Sequence, residues 1–263
     1  MTSFDISSGS PERFGYAWNE YSEILPIHRE QFDRWTGLIS PADWAGCEFL
    51  DVGCGMGRNS YWPLCYGAKP GTAIDVDERS LKSARATLAK YPNAQVRKLS
   101  AYDIDYQDRF DITFSIGVIH HLEFPDRAIQ KMVSATKPGG RVLIWVYGRE
   151  NNEWIVRFVD PTRKLVLSRL PVGLLHQLSL VPALLLWARL KLWKSRSPYL
   201  QLLATMSFRQ VRSIVFDQLL PRIANYWSRA EVEDLLARAN LTDIKLQWVN
   251  EMSWTAVGRK PFK

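Results

Sequence analysis

Cysteine is scarce in this chain of 263 residues, with only Cys47, Cys54 and Cys65 present. Their odd number, and the lack of Cys-x-x-Cys or histidine-containing zinc spacing, exclude a disulfide framework or a zinc ribbon as the organising constraint. Free, structural thiols in a reducing compartment are expected. The opening MTSFDISSGSPERF has no apolar run of secretory length, so no signal peptide is read and cytoplasmic residence follows. Acids are nearly missing from residues 154–216, where Asp160 stands alone against Arg157, Arg163, Lys164, Arg169, Arg189, Lys191, Lys194, Arg196, Arg209 and Arg212. That segment holds more positive charge than the net +7 of the whole chain, so the remainder is slightly acidic. The basic balance is therefore local and no mark of a nucleic-acid-binding domain. Hydrophobic residues make up 46% of the chain, enough for a packed core and against disorder.

Against these absences stands one dense stretch, FLDVGCGMGRNS at residues 49–60. A short apolar run ends on Asp51 and breaks into Gly53, Gly55 and Gly57, residues that reach backbone angles closed to others and let a ligand lie against the main chain. A dinucleotide turn would need a third glycine where Arg58 stands. An acid just before the glycines repels a diphosphate and suits a ligand with a cationic end, such as the ammonium and sulfonium of S-adenosylmethionine.

The run resembles motif I of the class I S-adenosylmethionine-dependent methyltransferases. Ala73-Ile74-Asp75-Val76-Asp77, the stretch from Phe110 to Leu122, and Lys137-Pro138-Gly139-Gly140 follow in the order of that family's later landmarks. They resemble most its quinone-biosynthesis and type 11 branches. The resemblance implies S-adenosylmethionine as cofactor and an antiparallel hairpin closing the sheet.

Short apolar runs alternate with amphipathic segments, which predicts an α/β, Rossmann-like doubly wound and mostly parallel sheet with its ligand at the carboxyl ends of the strands. Strands are expected at Glu48–Val52, Thr72–Val76, Ala94–Lys98, Ile112–Ile116 and Arg141–Val146, and helices at Arg58–Leu64, Glu78–Lys90 and Pro125–Ala135. Ser228-Arg229-Ala230-Glu231 is a capping box opening a helix through Arg238, and Thr242–Val249 and Met252–Arg259 form two strands around Asn250-Glu251. The chain divides into a helical cap (1–45) broken at Pro26, a donor-binding core (46–150), a helical insertion after the fifth strand (151–226) and a closing helix and hairpin (227–263). The cap either packs over the cofactor or serves as a packing helix alone.

The insertion has no formal charge from Leu170 to Ala188 and then turns basic. Pro171, His176, Gln177, Ser179 and Pro182 argue against a membrane span. A helix pair lying on a surface fits better, either the protein's own cleft, as a lid, or an anionic membrane leaflet holding a lipid-linked acceptor.

By the resemblance, Asp51, Gly53, Gly55 and Gly57 line the methionine end of the donor and Asp75, followed by Val76, accepts the ribose hydroxyls; a helix-capping role is the competing reading for Asp75. Ser100 stands where similar proteins carry the adenine-binding acid, with Ala101 beside it and Asp103 as the alternative. Ile116 and Gly117 end the fourth strand beside the donor. His120 and His121 follow at the cleft mouth, as general bases with His121 preferred, or as packing residues. Tyr147, Asp217 and Tyr226 are candidates to face the acceptor, and no metal site is expected. The function so read is methyl transfer to oxygen or carbon of a small or lipid-linked acceptor. A nicotinamide-dependent reductase and a non-catalytic donor-binding module are the alternatives, and nucleic acid is not expected as a partner.

Overall fold

Seven apolar runs become strands in the computed structural model, which describes residues 10–262. They are β1 (Phe49–Val52), β2 (Thr72–Asp75), β3 (Gln95–Lys98), β4 (Phe110–Ile116), β5 (Thr136–Tyr147), β6 (Thr242–Val249) and β7 (Ser253–Arg259). They form one sheet in the order β3-β2-β1-β4-β5-β7-β6. Only β7 runs against its neighbours, through the β5–β7 and β6–β7 pairs. The expected mostly parallel sheet with an antiparallel closing hairpin is what forms. Asn250 and Glu251 both take positive φ, 53° and 58°, as a two-residue hairpin turn requires.

The helices are α1 (Pro11–Glu20), α2 (Pro26–Trp35), α3 (Pro41–Trp44), α4 (Arg58–Cys65), α5 (Glu78–Thr87), α6 (Pro125–Ala135), α7 (Asp160–Leu165), α8 (Val172–Leu178), α9 (Leu180–Leu192), α10 (Pro198–Ala204), α11 (Phe208–Leu219) and α12 (Arg229–Ala237). Pro26 does not interrupt a helix as expected; it opens α2, where a fixed φ and a missing N–H cost nothing. β5 starts five residues earlier than its apolar run. Its pairing with β4 jumps from Phe110–Thr136 to Ile112–Arg141, so the Lys137-Pro138-Gly139-Gly140 landmark is absorbed as an irregularity.

Strand alternation divides the core. Leu50, Val52, Ile74 and Ile144 pack with Ile129 of α6 and Leu236 of α12 on one face, whereas Phe49, Ile112, Phe114 and Leu143 pack with Phe32, Trp44 and Trp62 on the other. The order of strands reverses between β1 and β4, which opens a crevice beyond their carboxyl ends.

The segment after β5 folds as a π-helical turn (Ile155–Val159), α7, a 3-10 turn (Leu167–Arg169) and α8 to α11. Asp160, the lone acid of residues 154–216, is used internally. Asp160 pairs with the buried guanidinium of Arg163 and, at 2.6 Å, with Lys164. Arg163 also donates to the Gln218 carbonyl at 3.2 Å. Arg13 of α1 ties this segment to the N-terminal cap. Its Nε donates to Leu220 O (2.9 Å), Nη1 to Ser168 O (3.1 Å) and Leu170 O (3.0 Å), and Nη2 to Leu167 O (3.0 Å).

Arg13→Met keeps much of the stem but leaves those carbonyls without a donor. Urea unfolding is expected to show a loss of roughly 2–4 kcal/mol. A midpoint equal to that of the wild type would mean water replaces the guanidinium at no cost.

Candidate active site

The loop between β1 and α4 hangs from β2 by its main chain. The N–H groups of Gly53 and Cys54 both donate to Ile74 O at 2.9 Å, and Gly55 N–H donates to Asp75 Oδ2 at 3.0 Å. Gly53 and Gly55 hold φ of 77° and 54°. A Cβ at Gly55 would lie 2.9 Å from Trp18 Nε1, so the main chain is bare where α1 crosses it.

Asp75 ends β2 with its second oxygen, Oδ1, accepting Asp77 N–H at 2.9 Å. Burial raises its carboxyl above the ordinary range, and the hydrogen bonds from Asp77, Gly55 and Val76 oppose this. Capping of α5 belongs instead to Asp77, whose Oδ1 accepts the N–H groups of Arg79 and Ser80. The Asp75 carboxylate thus keeps acceptor capacity for a ligand hydroxyl.

A cavity of about 670 Å³ runs from this carboxylate across the glycine loop to the insertion. Val76, Ser100 and Ala101 wall one end, Gly53, Gly55, Ile116 and Gly117 the middle, and His121, Tyr147, Asp217 and Tyr226 the other end. Twelve of the expected site residues therefore share one cavity. Ser100 Oγ also accepts Tyr102 N–H at 3.1 Å, leaving its own O–H to donate.

The remaining four lie off the wall, contrary to expectation. Asp51 shares the sheet face of Phe49, so its carboxylate points under α4, where Ser60 Oγ donates to it at 2.6 Å. Burial pushes it up to about 7. Gly57, at φ 80°, backs onto α5, where a Cβ would meet the Ala84 Cα at 3.1 Å. Asp103 is exposed, because the turn that carries it directs its N–H to Ser100 O. His120 is sealed behind His121, its ring centroid 3.9 Å from that of Tyr147 and neither nitrogen hydrogen-bonded. Desolvation lowers its pKa well below the usual imidazole value.

His121 Nδ1 lies 2.7 Å from Ile223 O, the only acceptor arrangement in which that nitrogen carries the proton and Nε2 the lone pair. Burial lowers its pKa to about 4, with the Ile223 bond opposing and the Arg163 charge assisting. Tyr147 stacks on Tyr226 at 5.4 Å and accepts Gln218 Nε2–H at 3.0 Å.

Several wall residues escape sequence reasoning. Trp18 and Trp35 carry the Arg58 guanidinium over their rings, at 5.4 and 5.7 Å. Tyr199 of α10 faces the same space. Arg58 had stood out only as a missing glycine. No local pattern links it to Trp18 or to Asp217. Among the described residues no group of three or more His, Cys, Asp or Glu side chains could hold a metal ion.

Residues 50–144 match the family described as a methyltransferase domain. That span of the chain is a methyltransferase domain of the class I S-adenosylmethionine-dependent type. A ubiquinone biosynthesis O-methyltransferase of Pseudomonas syringae pv. tomato is 28% identical over 159 residues, covering 59% of this chain and 67% of the relative. The 1,6-didemethyltoxoflavin-N1-methyltransferase of Burkholderia thailandensis, solved with its substrate and S-adenosylhomocysteine, superposes with a TM-score of 0.61. It is 14% identical and covers 99% of this methyltransferase and 91% of that chain. A possible histamine N-methyltransferase of Thermotoga maritima gives 0.56 at 15% identity, covering 95% and 98%. These two likenesses concern the fold.

The domain's cofactor is S-adenosylmethionine. The residues present fit the cofactor: a glycine cradle that a Cβ would fill, a carboxylate with free lone pairs at the end of β2, and room beyond for an acceptor.

Asp51 gives this site a pH signature. A carboxyl raised on folding holds its proton more tightly in the folded chain. It leaves stability unchanged below its ordinary value of 3.8 and lowers it as pH climbs to about 7. Asp51→Asn keeps an oxygen for Ser60 and cannot ionise. In thermal melts of the ligand-free protein, its stability relative to wild type should rise by about 4 kcal/mol between about pH 4 and about pH 8. A pH-independent difference would show that Asp51 does not titrate in this range.

Proposed function

We propose that this methyltransferase acts on a hydroxyl oxygen of an apolar, lipid-linked acceptor taken from an anionic membrane leaflet, as a peripheral protein at the cytoplasmic face. The observation that carries this reading is the two-sided character of the insertion. Its inner side completes the cavity with Tyr199, Asp217 and Tyr226. Its outer side carries thirteen of the fifteen large hydrophobic side chains exposed among the described residues, all between Trp154 and Trp193. Leu185 and Leu192 are 67% and 69% exposed. Interspersed with them, Arg157, Lys164, Arg169, Arg189, Lys191, Lys194 and Arg196 are exposed.

Apolar side chains that stay in water gain from a hydrocarbon boundary, and each lysine or arginine near an anionic surface adds about 1 kcal/mol. Val172–Leu192 is long and apolar enough to cross a membrane by length and composition. It is divided at Ser179, where α8 ends and α9 begins, which favours lying on the surface. Basic residues set among leucine and tryptophan favour a lipid partner over nucleic acid. The likeness to ubiquinone biosynthesis O-methyltransferases supports oxygen as the atom modified.

In this reading the glycine loop and Asp75 bind the donor, Val76, Ser100 and Ala101 border its base, and Ile116 and Gly117 lie beside its sulfur end. When bound, the donor supplies a methyl group activated by a sulfonium. The protein contributes alignment and exclusion of water. Neutral His121, with Nε2 as acceptor, takes a hydrogen bond from the acceptor hydroxyl and turns an oxygen lone pair toward the donor. Its low pKa makes it a weak base toward the free hydroxyl, so it first orients the group. As the oxygen–methyl bond forms and the carbon–sulfur bond breaks, the oxygen becomes strongly acidic and its proton passes to Nε2, with S-adenosylhomocysteine as the leaving group. Phe14, whose ring centroid lies 5.0 Å from that of His121, and the Tyr147–Tyr226 stack close the hydroxyl's surroundings to solvent.

Calorimetry with S-adenosylhomocysteine tests the donor half. Asp75→Ala should weaken binding roughly 10- to 100-fold, because two hydrogen bonds to a charged group are lost. Equal affinity in the variant would remove Asp75 from the site. Co-sedimentation with phosphatidylglycerol-containing vesicles tests the lipid half. The wild type should pellet and Leu185→Asp should stay in solution with donor affinity unchanged. A wild type that ignores the vesicles retires the membrane-drawn acceptor alone.

A further inference from the structure

Arg58 and Asp217 are opposite charges that face one cavity from two parts of the fold and do not meet. Arg58 is the first residue of α4, next to the glycine loop, and Asp217 lies in the last turns of α11, in the insertion. Both line the cavity. Among the described residues they form no ion pair within 4.0 Å, and Arg58 donates no hydrogen bond to protein; its contacts are the faces of Trp18 and Trp35. Asp217 Oδ1 is buried without a partner. A lone buried charge is costly, and two of opposite sign left apart in one enclosed space match a ligand that carries both signs close together.

The cavity's layout says which end of a ligand this is. Asp75 and Gly55 are joined by a 3.0 Å hydrogen bond, and Trp18 lies over Gly55 while stacking on Arg58. Trp18 therefore places the Arg58 guanidinium beside the glycine loop that Asp75 holds. Asp217 faces it from the insertion.

We propose that Arg58 and Asp217 form a subsite for an α-amino-acid zwitterion, the guanidinium taking the carboxylate and Asp217 the ammonium of the donor's amino-acid end. The assignment rests on the donor reading given above and deepens it, because it makes the insertion a partner in donor binding as well as in acceptor binding. Guanidinium–carboxylate recognition is bidentate and charge-assisted, and the flanking indoles hold the guanidinium plane in place. Arg58 opens α4 and Asp217 lies on α11, so the bound zwitterion bridges the two helices. The charged state of Asp217 is supported by the nearby guanidinium, although burial alone pushes it up to about 7. Burial likewise lowers Arg58 to about 10.

Two commercially simple nucleosides separate this subsite from the rest of the donor site: S-adenosylhomocysteine, which carries the amino-acid end, and 5′-methylthioadenosine, which lacks it. In calorimetry the wild type should prefer the former. Asp217→Asn and Arg58→Gln should each cut affinity for S-adenosylhomocysteine roughly 10- to 100-fold and leave methylthioadenosine within about twofold. Retained methylthioadenosine binding also shows that each variant is folded. Variants that bind both nucleosides as the wild type does, with or without a fall in turnover, overturn the assignment and leave the donor reading standing. A wild type that binds neither nucleoside overturns both.

Discussion

The hydrogen bonds that suspend the glycine loop from the end of β2 are the constraint on which the site depends. Two loop N–H groups converge on the Ile74 carbonyl and a third on Asp75 Oδ2, so loop and carboxylate have one fixed spacing. Glycine is needed because the chain must pass through positive φ while α1 lies directly above it. Since Asp77 takes the helix cap, Asp75 is left with two oxygens that are positioned but not saturated. A carboxylate fixed beside the glycine loop with acceptor capacity to spare is thus produced by main-chain geometry, before any side chain from the rest of the molecule is considered.

The second level of organisation is closure. The sheet supplies a crevice at its switch point, and the N-terminal cap and the insertion turn that crevice into a cavity. Arg13 locks cap to insertion through main-chain oxygens, and Arg163, paired with Asp160 and Gln218, stiffens the insertion behind Tyr226. Among the polar groups on the inner wall, Asp75 is tied to the glycine loop, His121 has a fixed tautomer, and Arg58 and Asp217 are of opposite charge type. The insertion's outer face, by contrast, is left apolar and basic. One segment therefore shapes the acceptor's surroundings and offers the only extensive greasy surface seen among the described residues.

Much of this was legible in the residues. Short apolar runs reaching Asp51, Asp75 and Ile116 located the strand ends, and strand ends locate the ligand in a doubly wound sheet, so Gly53, Gly55, Val76 and Gly117 line the cavity as expected. The Ser228–Glu231 capping box and the Asn250-Glu251 turn were local signals and formed locally. What was not legible depended on which surface covers which. Alternation along β1 shows that Asp51 opposes Leu50 but not that α4, bearing Ser60, lies over it. Adjacent histidines look equivalent in a sequence, yet the 3-10 turn at Ile119–His121 sends one ring to the cavity and the other behind it. Trp18, Arg58 and Asp217 are separated by long stretches of chain, and only tertiary closure brings them to a common wall.

Arg13 illustrates what kind of fastening holds the cavity's roof. Its guanidinium is satisfied by peptide oxygens from two stretches of the insertion and by no carboxylate. Dissolved electrolyte weakens attractions between exposed ions far more than hydrogen bonds sealed inside a fold. The Arg13 fastening between cap and insertion is accordingly little touched by ionic strength, while the charges of the basic outer face are screened by it. Brine that mutes the outer face would leave this fastening of the chamber in place.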